Sequence, residues 1–352
     1  MKFNIFNKKK VIITGHTGFK GSWLFAWLSK LNANVIGISN KVPTKPSHFD
    51  ILDFKKTKTF WIDIRDKEKL EKKIISFQPD FIFHLAAQSL VFESIKNPLK
   101  TWTTNLVGTI NVLESVKKLK KKCAIVLVTS DKCYENLEIV RGYRENDRLG
   151  GTDPYSASKA STEIMIKSYI KTFFMNKKNV RIATARAGNV IGGGDWSNSR
   201  IIPDCVKSWS KNKTIIIRSP DSTRPWQHVM EPLRGYLTLA QNLYSSNKLH
   251  GESFNFGPNK LTKKKKVIDV VKYFSGFWKK PKWKIIKIKN SIEAKLLSLN
   301  CIKAKKKLGW SSVLTSDQAL KLTSDWYNNY YSKKKSKKLT FKQIEFYEKK
   351  IK

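Results

Sequence analysis

Residues 11–14, Val-Ile-Ile-Thr, run without a break into three glycines spaced three apart, Gly15, Gly18 and Gly21, and then into the stretch SWLFAWLSK. The apolar, β-favouring residues predict a short strand. Beyond the glycines, Trp23, Leu24, Trp27, Leu28 and Leu31 recur on one helical face, which predicts a helix near 18–31. Strand, glycine bend and helix start together form the geometry that receives the diphosphate of a dinucleotide. Gly15 would permit the tight turn, Gly18 the approach of phosphate oxygens, and Gly21 the close packing of helix on sheet. The helix start adds free N–H groups and the positive end of its dipole. The spacing is G-x-x-G-x-x-G rather than G-x-G-x-x-G, so a bare turn is the competing reading.

The same alternation continues. Strand-like runs at 34–39, 59–63, 80–86, 124–130 and 181–188 are separated by helical patterns near 66–77, 99–121 and 154–176. This predicts an α/β fold: a Rossmann-type doubly wound parallel sheet covered on both faces, with a smaller mixed α/β C-terminal substrate lobe. The expected division is 1–188 for the dinucleotide-binding part, with a returning segment at about 225–250, and 189–224 plus 251–352 for the lobe. The four cysteines, Cys123, Cys133, Cys205 and Cys301, form no C-x-x-C, so neither a metal site nor a disulfide framework is expected. With no membrane-length apolar run and no signal-peptide pattern before the first strand, a cytoplasmic location is expected.

The net charge of +42 raises a nucleic-acid reading. Yet only ten of the 69 basic residues are arginine, and the lysines lie in scattered runs such as 8–10, 120–122, 263–266 and 333–335. Phosphate readers concentrate arginine and aromatics on one face. The charge therefore reads as solvated lysine. Nucleic acid is not an expected partner, although a field that attracts anionic substrates follows.

The chemistry sits at the ends of later strands. Tyr155 and Lys159 are four apart at the start of a predicted helix and so share a face. An ammonium near a phenol favours the phenolate and lowers its pKa, so Tyr155 is the expected base at a hydroxyl losing hydride. Ser130, Asp131 and Lys132 end the fifth strand, where an open α/β sheet places its site. Ser130 can bond the same substrate oxygen as Tyr155. Asp63, ending the third strand, is a candidate acceptor for an adenine amine or a surface cap. The second strand ends in Ser39, Asn40 and Lys41 rather than in the acidic residue that reads a ribose 2′-hydroxyl, which leaves NAD and NADP open on local grounds.

With TGHTGFKGSWL, FQPDFIFHLAAQ, TNLVGTINVLE, VTSDKCYEN, GGTDPYSASKASTE, ARAGNVIGGGDW, TRPWQHVMEPLRGYLTLA, FNFGP and KKLGW in place, the chain resembles the extended short-chain dehydrogenase/reductases. Within them it is similar to the CDP-glucose 4,6-dehydratases, over residues 11 to about 330. The resemblance implies bound NAD, a nucleotide-sugar substrate (CDP-glucose) and a homodimer or higher homo-oligomer. It implies oxidation at C4 of the hexose, loss of water from C5 and C6, and hydride return to C6, for deoxysugar and surface-polysaccharide synthesis.

Carried over residue by residue, Tyr155 is the base at the C4 hydroxyl, with Lys159 behind it and Ser130 on the oxygen. Asp131 is the acid at the C6 hydroxyl and Lys132 the base at C5; a buried Asp131–Lys132 ion pair is the competing idea. Gly15, Thr17, Gly18, Phe19, Gly21, Asp63, Ile64, Leu85, Ala86, Ala87, Gln88 and Asn105 are implied around the cofactor, with Tyr155 and Lys159. Asn189, Arg200, Arg218, Arg224 and His228 are implied around the substrate, with Arg218 equally a surface arginine and His228 equally a structural histidine. The chain departs from the family at Glu93, where a positive side chain is usual, and at Asn300, where an aspartate is usual. A 4-epimerase or a dehydratase of another nucleotide sugar is the alternative on the same scaffold. The Asp131–Lys132 pair speaks for dehydration, since epimerisation needs no acid for elimination.

Overall fold

The computed structural model describes residues 3–53, 58–224, 226–258, 265–286 and 296–351. Pro225 of the TRPWQHV motif and Lys263 and Lys264 of one lysine run lie outside the described residues. Seven parallel strands form the main sheet: β1 Lys10–Thr14, β2 Asn34–Ser39, β3 Lys58–Trp61, β4 Phe81–His84, β5 Cys123–Val128, β6 Val180–Ala187 and β11 Ser253–Phe256, in the order β11-β6-β5-β4-β1-β2-β3. The chain runs outward from β1 through β2 to β3, then crosses to β4 on the other side of β1. The C-terminal ends of β1 and β4 therefore flank the crevice where such sheets bind their ligands.

These strands are apolar along their whole length because helices cover both faces. Alternate residues serve two cores. Val11, Ile13, Phe81, Phe83, Val126 and Ala185 face one; Ile12, Ile36, Ile82, Ile125, Leu127 and Ile182 face the other. The covering helices include α1 Phe19–Lys30, α2 His48–Leu52, α3 Lys67–Phe77, α4 Val91–Lys96, α5 Pro98–Trp102, α6 Gly108–Lys117 and α7 Pro154–Tyr169. The single helices expected over 99–121 and 154–176 are each broken by a π-turn, at Thr103–Val107 and Ile170–Phe174. The first of these turns carries Asn105, buried and bonded to residues of two other segments (below).

Two features of the second half depart from the expected lobe. Helix α9, Met230–Ser245, packs on β4, β5 and β6, and β11 pairs with β6, so the returning segment runs on to residue 256 rather than ending near 250. The C-terminal helices α12, Ser316–Tyr331, and α13, Ser336–Lys350, also fold back, and α13 packs on α1 and α2. Trp27 Nε1 donates to Glu348 Oε1 at 2.9 Å, and the Trp27 and Tyr347 rings meet edge to face at 5.7 Å. This explains why α1 is buried all round, from Trp23 through Leu28, instead of along one stripe. Each large apolar side chain so buried stabilises the fold by about 1.5–3 kcal/mol.

Smaller pieces complete the chain. They are α8 Ile201–Trp209, α10 Val267–Ser275 and α11 Ile302–Leu308, with three two-stranded ribbons: β7 Val190–Ile191 with β10 Gln227–His228, β8 Ile215–Ile217 with β13 Trp283–Ile285, and β9 Thr223–Arg224 with β12 Lys265–Lys266. Among the described residues no helix is long and apolar enough to cross a membrane, and no cluster of side chains could hold a metal ion.

Candidate active site

The glycine bend is built for close approach. Gly15 has φ +76°, and a Cβ there would lie 2.7 Å from Ala86 N. A Cβ on Gly21 would lie 2.1 Å from Gly15 O, so only glycine lets α1 begin against its own turn. Gly18 is the N-cap of α1 and has no side chain to close off the N–H groups of the first turn. This cradle fits a dinucleotide diphosphate. It is buttressed from β2: Ser39 Oγ lies 2.9 Å from His16 Nδ1 and accepts from Thr17 N at 3.4 Å, and the Thr17 hydroxyl donates to Lys41 O at 2.7 Å. Ser39 thus supports the turn from within, at the place where an acidic residue was looked for. Thr17 likewise works as a brace.

The other residues expected near the cofactor fall into three groups. Leu85, Ala86, Ala87 and Gln88 follow β4 and line the crevice, half-buried; Phe19 reaches from α1 toward Gly192. Asn105 accepts from Gln88 N at 2.8 Å and donates to Gln88 O at 3.0 Å and Ser158 Oγ at 2.9 Å. It therefore latches the β4 loop to α7. Asp63 and Ile64 follow β3. The Asp63 carboxylate is held by Arg65 at 2.8 Å and Asn40 at 3.0 Å, which keep it ionised with its pKa pulled down to about 2. The Ile64 side chain is buried in the core against Gly108.

The reacting groups meet between β5 and α7. Ser130 caps the short turn Asp131–Cys133, its Oγ accepting from Lys132 N at 3.2 Å and donating to Asp131 Oδ1 at 3.0 Å. Helix α7 begins where Asp153 accepts from the N–H groups of Tyr155 and Ser156, both at 3.0 Å, with Pro154 in its first turn. Its inward face carries Tyr155, Lys159 and Glu163, all buried. Tyr155 and Lys159 share one helical face, as their spacing predicted, but the electrostatics differ from those expected. Burial first, then Asp131 and Asp153, push the phenol up to about 12, against the pull of Ser130 and Arg200. The lowered phenol pKa expected from Lys159 is not what the protein alone provides. Lys159 is itself pushed down to about 8 by burial, which Glu163 opposes. Burial raises the Asp131 pKa as well, against Lys132, Ser130 and Lys20. A carboxyl driven toward its protonated form suits proton donation.

Two contributors escaped the sequence reading. Glu163 continues the i, i+4 face of Tyr155 and Lys159, and that spacing could have found it. It is paired with Arg186 through bonds of 2.9 and 2.8 Å in the core and receives the hydroxyls of Thr129 and Thr184. Lys20, inside the glycine bend, carried no local signal. Burial first, then Arg200, push its ammonium down to about 8, against Asp131.

The substrate-side expectations divide. Arg200 precedes α8 and pairs with Asp195 at 3.0 Å, and its charge helps pull the Tyr155 phenol down against burial. Asn189 follows β6, its carbonyl accepting from Gln227 N at 3.3 Å. Arg224 is half-buried on β9. Arg218 is exposed, its guanidinium 5.1 Å from the Phe92 ring centre, which is the surface alternative. His228 is wholly buried, edge-on to Trp23 at 5.8 Å, with Nδ1 accepting from Met230 N at 3.4 Å. It is a core histidine, and the substrate role does not hold. Glu93 is engaged by Lys100 at 3.5 Å on exposed α4. Asn300 Oδ1 accepts from Ile302 N at 3.0 Å and starts α11, a bond an aspartate could equally make.

A seven-stranded parallel Rossmann sheet, a glycine cradle after β1 and a Ser-Tyr-Lys set between β5 and α7 define an extended short-chain dehydrogenase/reductase. The chain belongs to the GDP-mannose 4,6 dehydratase family, whose model matches residues 12–323. A CDP-glucose 4,6-dehydratase of Salmonella typhimurium is 45% identical over 312 residues, 87% of each chain. The fold is shared with the dTDP-glucose 4,6-dehydratase of Bacillus anthracis in complex with NAD, at a TM-score of 0.76 and 23% identity over 94% of this chain and 99% of that one. It is shared equally with the UDP-glucose 4-epimerase of Thermotoga maritima with UDP-glucose, at a TM-score of 0.76 and 22% identity over 91% and 99%.

Proposed function

We propose that this protein converts CDP-D-glucose to CDP-4-dehydro-6-deoxy-D-glucose and water, with NAD as a recycled cofactor, in the cytoplasm and for deoxysugar synthesis. The observation that carries the reading is the Ser130-Asp131-Lys132 turn facing Tyr155. An epimerase needs Ser130, Tyr155 and Lys159, but no acid for a leaving hydroxyl. The 45% identical CDP-glucose dehydratase supports the nucleotide and the hexose. Cys123, Cys133 and Cys205, free and buried, suit a reducing compartment.

Gly15, Gly18, Gly21 and the start of α1 would hold the NAD diphosphate, and Lys159 its nicotinamide ribose. When bound, NAD accepts hydride from C4 and returns it to C6, and its positive ring favours the phenolate. Tyr155 takes the C4 hydroxyl proton, and Ser130 holds the same oxygen. The resulting ketone acidifies the C5 proton, which Lys132, half-buried beside Asp131, receives. Asp131 delivers its proton to the departing C6 hydroxyl, which leaves as water. Lys132, neutral before it takes the C5 proton, then returns that proton to C5 as C6 is reduced, and the proton held by Tyr155 passes back to Asp131, so the cycle closes with no net redox change.

Incubation with NAD and a panel of nucleotide hexoses tests the reading. CDP-glucose should yield the alkaline ultraviolet absorbance of a 4-keto-6-deoxy sugar. Product only from another nucleotide, or a 4-epimer without water loss, would replace it. Asp131→Asn should slow water loss about 100-fold, within the usual range for a general acid. Reduced cofactor should still form in a single turnover. Unchanged overall turnover would remove Asp131 from the mechanism.

The homodimer belongs to this proposal. Leu99 on α5, Val107 in the π-turn and Ile164 on α7 are exposed apolar residues on mutually packed segments, a surface that a second copy could cover. Sedimentation should give twice the chain mass, and Leu99→Glu with Ile164→Glu should give the monomer. A monomeric wild-type protein would overturn this part.

A further inference from the structure

The turn that carries Ser130, Asp131 and Lys132 is tied at both ends to one buried ion pair. Within the turn the bonds are local. Ser130 Oγ donates to Asp131 Oδ1 at 3.0 Å and accepts from Lys132 N at 3.2 Å, and Cys133 N donates to Ser130 O at 3.3 Å. Immediately before the turn, Thr129 Oγ1 donates to Glu163 Oε1 at 2.5 Å. Immediately after it, Tyr134 Oη accepts from Arg186 Nη1 at 2.7 Å, and the guanidinium lies 4.9 Å from the centre of the same ring. Glu163 and Arg186 then meet each other through two side-by-side bonds, Nε to Oε1 at 2.9 Å and Nη2 to Oε2 at 2.8 Å. Glu163 belongs to α7, one helical turn beyond Lys159, and Arg186 belongs to β6.

The pair and its surroundings are fully bonded. Every guanidinium nitrogen of Arg186 is engaged, since Nη1 also donates to Glu145 O at 3.0 Å and Nη2 to Ser253 Oγ at 3.3 Å. Glu163 Oε2 also accepts from Thr184 Oγ1 at 3.2 Å. Burial opposes the charge, yet Arg186 and the hydroxyls of Thr129 and Thr184 hold the Glu163 carboxyl below its ordinary range, so the pair is ionised. Tyr134 Oη donates onward to Asn255 Oδ1 at 2.8 Å, so β11, the strand beside β6, backs the same anchor. A buried ion pair is a weak source of stability, because apolar residues of similar volume serve as well. What it supplies is direction. Bidentate bonds fix angle as well as distance, and a buried network whose members are all satisfied is rigid.

We propose that Glu163 and Arg186 form a positioning clamp for the dehydration step, setting where the Asp131–Lys132 turn stands against the Tyr155 face of α7. The proposal rests on the dehydratase reading above and adds to it two residues that act through Thr129 and Tyr134. The first hydride step depends on Tyr155 and Lys159, which share α7 with Glu163 and keep their places on it. Water loss depends on the acid and the base of the turn, which reach C6 and C5 only if the turn is held against that helix. Misplacing a reacting group by about 1 Å costs on the order of 100-fold in rate. A loosened clamp therefore changes the ratio of the two steps.

Thr129→Val removes the hydroxyl at one end of the turn at nearly constant volume, and Tyr134→Phe does so at the other. With NAD and CDP-glucose, each variant should form reduced cofactor in a single turnover at close to the wild-type rate. Each should lose water about tenfold or more slowly, the scale of a sub-ångström displacement. The absorbance of the reduced nicotinamide should therefore build up further than in wild type before it decays. Thr129→Ser keeps the hydroxyl and should restore the wild-type ratio. A role in folding alone lowers the urea midpoint and the active fraction, and leaves that ratio where it was.

A wild-type ratio of the two steps in either variant overturns the proposal, whatever the stability. So does an altered ratio that Thr129→Ser shares with Thr129→Val. If one variant does not fold, the other decides; if neither folds, the bonds belong to the fold and the proposal fails. The dehydratase reading is judged on wild type alone. If wild type dehydrates another nucleotide hexose, only the choice of sugar nucleotide fails, and the variants are judged on that substrate. If wild type loses water from no nucleotide hexose, the reading and the clamp fall together.

Discussion

Tyr155→Phe should abolish the first hydride step, lowering single-turnover formation of reduced cofactor by about a thousandfold or more, within the range of lost general-base catalysis. The phenyl ring fills the same buried space, so the fold should survive with an unchanged urea midpoint. The effect is large because in the proposed mechanism no other group accepts the C4 hydroxyl proton; the neighbouring Ser130 hydroxyl donates to Asp131 Oδ1 at 3.0 Å. Burial pushes the phenol up to about 12, so the phenolate that accepts the proton becomes populated only as positive charge enters the site. Normal formation of reduced cofactor in the variant would remove Tyr155 from the mechanism.

Mild acid should unfold this protein. Four of its five histidines, His16, His48, His84 and His228, are buried and held neutral, with pKa values pushed down by burial to about 4 for His16 and about 3 for the others. The sign follows from linkage. Below the ordinary value of 6.5 the unfolded chain takes up protons that the folded chain refuses, so stability is fully present above 6.5 and is lost as pH falls toward about 4 and 3. At about pH 5 each ring costs the folded state about 2 kcal/mol. Four together cost roughly 4–8 kcal/mol, comparable with the whole stability of a typical domain. Urea unfolding at about pH 7.5 and about pH 5 measures it directly. A midpoint unchanged between the two would refute the account. The rings are fixed by specific contacts that protonation would disturb: His84 lies 2.7 Å from Thr14 Oγ1 and 3.1 Å from Thr109 Oγ1, and His48 stacks on Trp23 at 4.9 Å.

How much of this was legible depended on whether a residue's role was local. The six strands from β1 to β6 were readable because each is a short apolar run that helices cover on both faces. The Tyr155–Lys159 pair was readable because helical spacing alone puts both side chains on one face. By contrast, β11 is four residues, Ser253–Phe256, and nothing in so short a run says that it joins the sheet beside β6. His228 looked like a site residue because it sits in a motif with Trp226 and Arg224, yet the chain turns its ring inward onto Trp23. The break in the long helix at Thr103–Val107 was not read from the sequence, because a single π-turn leaves the segment helical on both sides.

By itself the sequence determined the parallel sheet, the glycine cradle and the Ser-Tyr-Lys set, since each follows from steric limits or spacing within some twenty residues. Only the tertiary structure decided that the C-terminal helices return to bury α1, that Ser39 braces the turn from β2, and that Glu163 pairs with Arg186 in the core. Those outcomes depend on burial and on charges brought together from distant segments. Their energies exist only after the chain has closed around them and excluded water.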